Sequence, residues 1–419
     1  MLLFYNFFIF LYGLLLSIAA RFKIKAHRIV EGRKNTFPYL ETVLKENKSP
    51  IVWFHCASLG EFEQGRPVIE AFRKAFPDYK ILLTFFSSSG YEVRKNYDKA
   101  DYICYLPADT PTYAKKFVEL VQPEMAYFVK YEFWYHFIKE LKLNHIPAIS
   151  ISAIFRKEQH FFKWYGSFAR KTLRNFTYIF VQDLQSKALL NTIGLEEIQV
   201  SGDTRFDQVH DICSHPQHFP LIKAFKDDKK LLIVGSSWPE DIEALIPLIN
   251  NHDKNLRFII APHEINENGL QKLEQKINKG SIRYSRAAKE TISNYQVLII
   301  DNIGMLSSLY QYGEFAYIGG GFGTGVHNIL EAATFGLPVF FGNKNYKKFR
   351  EANELIALKA AFSVADSHEF LSKFYQLFQD KEQWQQASQI AAEYIQKNRG
   401  ATKKIMNYSI AFLNKAKTA

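Results

Sequence analysis

Cysteine is scarce in this chain. Three residues of 419, Cys56, Cys104 and Cys213, stand far apart with no CxxC pair. That excludes a disulfide framework and a cysteine-built zinc site, leaves the thiols as packing residues and fits a reducing compartment. Short-period repeats and low-complexity segments are also missing, so neither a solenoid nor a disordered linker protein is in view. Acidic residues are outnumbered, 42 Asp and Glu against 53 Lys and Arg, for a net charge of +11. That balance admits an acidic partner such as anionic lipid or a phosphorylated substrate. The cations are scattered and no recognised nucleic-acid module accompanies them, so nucleic acid is not expected among the partners. What the chain has in quantity is apolar surface, 47% hydrophobic and 16% aromatic. It is a folded protein, and its length suits two domains of roughly 150–200 residues each.

The longest charge-free stretch is "LLFYNFFIFLYGLLLSIAA", Leu2–Ala20, with Arg21, Lys23, Lys25 and Arg28 directly after it. As a helix it is about long enough to cross a bilayer, at roughly 20 residues. Cations after the run argue that the rest of the chain stays cytoplasmic. A cleaved signal peptide wants basic residues before the run, and here the chain starts Met-Leu-Leu. The reading is an uncleaved, membrane-embedded anchor over 1–20, the alternative a very apolar core helix.

Apolar strand-like runs then alternate with helical patterns. Runs at 51–58, 80–86, 102–107, 125–131, 146–153, 178–183 and 198–203 form one series; 230–237, 256–263, 295–301, 315–321 and 337–342 form a second. Strand–helix–strand alternation with short buried strands predicts parallel sheets with helices on both faces, an α/β fold of two doubly wound domains. The expected organisation is anchor 1–20, first domain 21–209, a polar connector 210–229, second domain 230–395 and a C-terminal helix 396–419. Ligands of such sheets sit beyond the carboxyl ends of the strands, in a cleft expected to lie between the domains.

Four stretches lie just there. In "ASLGEFEQGRP", Gly60 suggests a tight strand-to-helix turn and Glu61 falls near a helix start. A carboxylate is at home there, so Glu61 is either an ordinary helix-start residue or a positioned base. The helix end lowers its pKa and burial in a cleft raises it. In "VKYEFWYHF", Glu132 sits among aromatics, either a satisfied rim residue or a functional carboxylate. In "SGDTRFD", Arg205 either meets an anion or pairs with Asp203 or Asp207. In "YIGGGFGTGVHNILEAATFGLPVFFG", five glycines within Gly319–Gly325 precede Asn328 and Glu331. Close backbone approach to a phosphate fits this pattern, although it is neither GxGxxG with an acidic ribose partner nor GxxxxGK[ST]. Asn328 and Glu331, three apart, can face one ligand from a single helical turn; a Gly-rich turn with a capping Asn is the plainer reading. "GSSWPED", "APHE" and "DNIGMLSSLY" also follow strands.

Together, "HCASLGE", "TFFSSSG", "YEFW", "SGDTRFD", "APH", "DNIGMLSSLY" and "GGGFGTGVHNILEAATFGLPVFFG" make the chain resemble the Kdo (3-deoxy-D-manno-octulosonic acid) transferases of lipopolysaccharide assembly, over nearly its whole length. The resemblance implies a GT-B glycosyltransferase of two Rossmann-like domains at the cytoplasmic face of the inner membrane. It implies CMP-Kdo as donor substrate, a phosphorylated and acylated lipid A precursor as acceptor, and neither cofactor nor metal. Carried over residue by residue, Glu61 matches the catalytic base and Glu132 a carboxylate near the reacting centre. Arg205 matches a basic position that stabilises transition-state charge. Pro262 and His263, Ile303, Gly304 and Met305, and Asn328, Ile329, Leu330 and Glu331 match segments that hold CMP. Two departures stand out: Lys130 replaces a Glu, and His263 stands where relatives often have an Arg that grips phosphate. Another sugar-nucleotide enzyme on the same architecture, a UDP-sugar transferase or an epimerase, is the rival reading. A non-catalytic membrane-tethered binding module is a further one, and Glu61 and Glu132 count against it.

Overall fold

The computed structural model describes residues 1–251, 255–323 and 325–418. Thr324 of the glycine-rich stretch and Ala419 of the expected C-terminal helix lie outside the described residues. The chain divides into two units, Met1–Asp207 with Arg399–Ala419, and Gln208–Asn398.

Unit 1 is built on seven parallel strands, β1 (Ile51–Cys56), β2 (Lys80–Phe85), β3 (Tyr102–Tyr105), β4 (Met125–Val129), β5 (Ala148–Ala153), β6 (Tyr178–Val181) and β7 (Ile198–Val200). Their order is β3-β2-β1-β4-β5-β6-β7. Each strand is shorter than the apolar run that predicts it; at β1, β4 and β7 the run continues into the loop that leads to Glu61, Glu132 and Arg205. Side chains alternate along β1. Val52, Phe54 and Cys56 enter one core layer with the helix Leu59–Ala75, while Trp53 enters the other with Phe117 and Phe137. His55, fully buried, shares the Trp53 face by the same period of two.

Helix α1 (Leu2–Ala19) is followed by α2 (Ile24–Val43). It does not stand clear of unit 1. Tyr5 donates its hydroxyl to Asp109, Asn6 Oδ1 lies 2.7 Å from His136 Nε2, and Tyr12 stacks on Phe86 with ring centroids 5.8 Å apart. These side chains hold one face of α1 on the domain, and Leu3, Phe7, Phe8 and Phe10 point outward, all more than half exposed.

The expected connector 210–229 is largely helical, in Arg205–Ser214 and Pro220–Lys226. The C-terminal helix begins at Ala401 and belongs to unit 1, where Ile405, Met406 and Leu413 are buried in the same layer as Phe54 and Phe72. Asp207 clasps its start, accepting hydrogen bonds from the backbone N–H of Gly400 and of Thr402, both at 2.7 Å.

Unit 2 repeats the plan with β8 (Lys230–Ser237), β9 (Leu256–Pro262), β10 (Ser281–Arg283), β11 (Val297–Ile299), β12 (Phe315–Ile318), β13 (Val339–Gly342) and β14 (Ala361–Val364). All pair in parallel in the order β10-β11-β9-β8-β12-β13-β14. The strand order reverses between β1 and β4 in unit 1 and between β8 and β12 in unit 2. In doubly wound sheets the crevice at such a switch point receives the ligand. The loops after β1, β4, β8 and β12 border these two crevices.

Candidate active site

After β1 the chain enters α3 (Leu59–Ala75) through a reciprocal cap. Glu61 Oε2 accepts from the Ser58 backbone N–H at 2.9 Å and from the Ser58 hydroxyl at 3.2 Å, while Ser58 Oγ accepts from the Glu61 N–H. Gly60 is not the turn residue the sequence suggests. It is an ordinary helical position, and a Cβ there would meet nothing nearer than Ser58 Oγ at 4.0 Å. Ser58 turns the chain, and Gly60 leaves the space beside Glu61 open.

After β4, Lys130 adopts φ 66° and swings the following residues across the sheet end. Glu132 lands 8% exposed, with Oε2 at 2.6 Å from the Trp134 indole nitrogen, which donates, and 3.0 Å from His55 Nε2. His55 Nδ1 lies 2.8 Å from Thr84 Oγ1, which also accepts from Trp53 Nε1 at 2.8 Å. The network runs from the middle of the sheet to its carboxyl edge and gives Glu132 one orientation. Sequence reasoning missed His55 as its support; the signal was a histidine inside an otherwise apolar strand.

The two switch-point carboxylates feel one another. The Glu61 pKa is raised, first by burial and next by the negative charge of Glu132; the Ser58 hydrogen bond and the His55 and Lys130 charges pull the other way but do not win. The opposition between helix end and burial is therefore settled in favour of a proton-accepting carboxyl. Arg205 follows β7 and pairs with Asp203, Nη2 to Oδ2 at 2.7 Å and Nε to Oδ2 at 3.0 Å. The loop is tied to α3 through the Thr204 hydroxyl, which donates to the Gln64 carbonyl.

In unit 2 the glycine-rich loop after β12 rests on a buried acid. Asp241 Oδ2 accepts from the N–H of Gly320 and of Trp238, both at 2.9 Å, and Oδ1 from the Tyr317 hydroxyl at 3.0 Å. Gly319 must be glycine, since a Cβ would lie 2.2 Å from the Ser236 carbonyl oxygen and 2.8 Å from Asp241 Oδ2. Asp241, also missed, sits inside "GSSWPED".

A concavity of about 330 Å³ opens here, lined by Ser236, Gly304, Tyr310, His327, Asn328 and Glu331 among others. The helix after the loop starts only at Leu330, so Asn328 precedes it, giving its amide N–H to Glu331 Oε1 at 3.0 Å and accepting from the Leu330 N–H at 3.2 Å. Ile329 and Leu330 are core residues and Met305 is 5% exposed, so these reach a ligand by backbone only, whereas Ile303 is fully outward at 92%. Pro262 lines a neighbouring apolar hollow of about 220 Å³ with Trp238 and Ile242. His263 links the two by stacking on Trp238 and on His327, 4.5 Å from each. Trp238 donates to His327 Nε2 at 3.1 Å, and burial and the His263 charge push the His327 pKa down to about 4. His327 is thus a neutral acceptor at physiological pH.

Residues 30–208 match the family model for the 3-deoxy-D-manno-octulosonic-acid transferases. The 3-deoxy-D-manno-octulosonic acid transferase of Chlamydophila psittaci is 28% identical over 320 residues, 74% of this chain and 73% of that one. The enzyme of the same description from Aquifex aeolicus is 27% identical over 362 residues, 84% and 92% of the two chains. Among solved structures, UDP-GlcNAc 2-epimerase from Neisseria meningitidis bound to UDP-GlcNAc superposes with a TM-score of 0.59 at 17% identity, covering 86% of this chain and all of the other. MurG from Acinetobacter baumannii gives 0.54 at 12%, covering 86% and 98%. At these identities the structural likeness is one of fold, the GT-B arrangement of two Rossmann-like domains.

Proposed function

The chain belongs to the Kdo transferase family, and from that premise we propose that it moves Kdo from CMP-Kdo to a phosphorylated lipid A precursor, with inversion and with Glu61 as general base. The observation that carries the reading is the raised pKa of Glu61 at the unit 1 switch point, beside a second, rigidly held carboxylate. Glu61 takes the proton from the acceptor hydroxyl as that oxygen attacks the anomeric carbon and the bond to the CMP phosphate breaks. Glu132 keeps the base poised by its charge. Arg205 and Lys130 are the cations for the donor's carboxylate and the departing phosphate. CMP leaves as a single phosphate, so the step invokes no metal clamp. Pro262, His263, Ile303, Gly304, Met305 and Asn328–Glu331 hold CMP, with Glu331 accepting from the ribose hydroxyls. The apolar α1 and the cations after it keep the enzyme at the cytoplasmic face of the inner membrane, where the acceptor resides.

The direct test is incubation with CMP-Kdo and an acylated glucosamine disaccharide phosphate, read by mass spectrometry for Kdo addition and CMP release. Absence of both, with turnover of UDP-GlcNAc instead, defeats the proposal. Three variants probe its parts. Glu132→Gln removes the charge that raises Glu61. A base works deprotonated, so kcat/KM falls as pH drops through its pKa; this acid limb should move to lower pH in the variant. A limb that stays in place breaks the assigned coupling. Asn328→Ala and Glu331→Ala should each weaken CMP binding by about five- to thirtyfold, the scale of one or two hydrogen bonds. Unchanged affinity in calorimetry refutes their placement.

A further inference from the structure

Beside the unit 1 site lies a groove of about 490 Å³ that the proposed transfer step does not use. Tyr5 of α1, Phe133, Trp134, Phe161, Tyr165 and Phe168 line it. No Asp, Glu, Lys or Arg lines it among the described residues. The lining does include His160, whose pKa burial lowers, so a nucleotide, a sugar acid or a phosphate finds no fixed charge there, whereas an aliphatic chain does not need one.

Two continuities say what fills it. One is with the chemistry. Trp134, part of the lining, donates to Glu132, whose charge is felt by Glu61. The groove and the Glu132 carboxylate therefore share Trp134. The other is with the outer face of α1. That helix is fixed on unit 1 by Tyr5 and Asn6 near its start and by Tyr12 further along. From Tyr5 to Ala19 a helix rises about 21 Å. Were α1 to cross a bilayer upright, Asp109 and His136 of the globular domain would lie deep in hydrocarbon. It lies instead along the domain, with its exposed Phe and Leu side chains outward. Trp164, 90% exposed, and Tyr165, 51% exposed, lie beside the groove. Aromatics of this kind belong at headgroup depth.

Resting on the transferase reading, we infer that this groove holds an acyl chain of the lipid acceptor, taken from the leaflet in which α1 lies in plane. The acceptor's reacting hydroxyl then meets Glu61 while its tail passes over Trp134 towards α1.

A tail-labelled acceptor carrying a diazirine in one acyl chain tests this on the unaltered full-length protein in membranes. Photolysis should label peptides spanning Met1–Tyr5, 131–134 or 160–172; labelling confined to other peptides, or none, overturns the groove. A kinetic arm uses Ala169→Trp, which fills the groove from the helix Ser167–Leu173. The ratio of KM for acylated to deacylated acceptor should rise about tenfold, roughly the effect of leaving two methylenes in water. An unchanged ratio counts against the groove. Wild-type protein that transfers Kdo to neither acceptor defeats the transferase reading, and the cross-link still decides the groove.

Discussion

Glu61→Gln is expected to lower the rate of Kdo transfer by about 10²–10⁴-fold while the protein folds as before and binds CMP as before. The substitution is informative because Glu61 has two duties and Gln discharges one of them. As the third residue of α3 it closes the cap on Ser58 through a single oxygen, Oε2. An amide oxygen can accept the same bond, and Gln is as good as Glu in this box. The lost charge gives up a favourable helix-end interaction of about 0.3–1 kcal/mol. It also relieves the burial and the Glu132 repulsion that raise the Glu61 pKa. For a carboxyl whose folded pKa is raised, the stabilising contribution is complete below the unfolded pKa and is lost as pH rises through the folded one. At neutral pH the wild-type protein therefore bears a cost that the variant does not, and the melting temperature should stay level or rise. Glu61→Ala, in contrast, removes cap and base together and should also cost about 1 kcal/mol of stability. The measurement is transfer rate against thermal unfolding at pH 7. Near-wild-type turnover in the Gln variant removes Glu61 from the role of base. A large fall in melting temperature makes it a structural residue.

Much of this arrangement was legible in the residues, and the parts that were not have identifiable causes. The long apolar runs announce their strands because β1 and β4 are buried on both faces. β10 and β14 were missed: one is three residues of mixed polarity and the other has only two of its four residues buried, as edge strands do. Glu61, Glu132 and the loop from Gly319 were visible as features after strands, but the side chains supporting them were not. His55 and Thr84 are 29 residues apart and meet only because β1 pairs with β2 in register. Asp241 reaches Gly320 across 79 residues for the same kind of reason. The positive φ of Lys130 and of Ser236, each at a strand end beside a candidate site, leaves no mark that local propensity can detect. Gly60 shows the opposite error. A glycine at a strand end reads as a turn, yet the backbone there is helical and the turn is made by the residue before Leu59. Likewise the spacing of Ile405, Met406, Ser409 and Leu413 marks an amphipathic helix, but nothing local says which sheet it covers.

A chain ending at Asn398 should fail to form a cooperatively folded unit 1. The helix Ala401–Thr418 shares with α3 the cover of one face of the first sheet. Ile405, Met406 and Leu413 are buried there, Tyr408 packs on Tyr178 at 4.4 Å between ring centroids, and Ser409 bonds to the buried Tyr127 hydroxyl. Burying three such aliphatic side chains is worth about 5–9 kcal/mol, against a net stability for a domain of about 5–15 kcal/mol. Removing the helix also uncovers Tyr127 and Phe180, which it touches through Ser409 and Tyr408, an apolar face of the kind that aggregates. Milder variants should grade the effect. Ile405→Ala should cost about 2–5 kcal/mol through the cavity it leaves. Asp207→Ala, which frees the two N–H groups of Gly400 and Thr402, should cost about 0.5–2 kcal/mol as a lost cap. Chemical denaturation of the variants, with near-ultraviolet dichroism on the truncated chain, gives the readout. A truncated chain with a native near-ultraviolet spectrum and an unshifted transition would show that the sheet needs no such cover. If the order of losses holds instead, unit 1 cannot complete its core until the last helix has been made. The first half of the sequence then depends for its fold on the final helix of the chain.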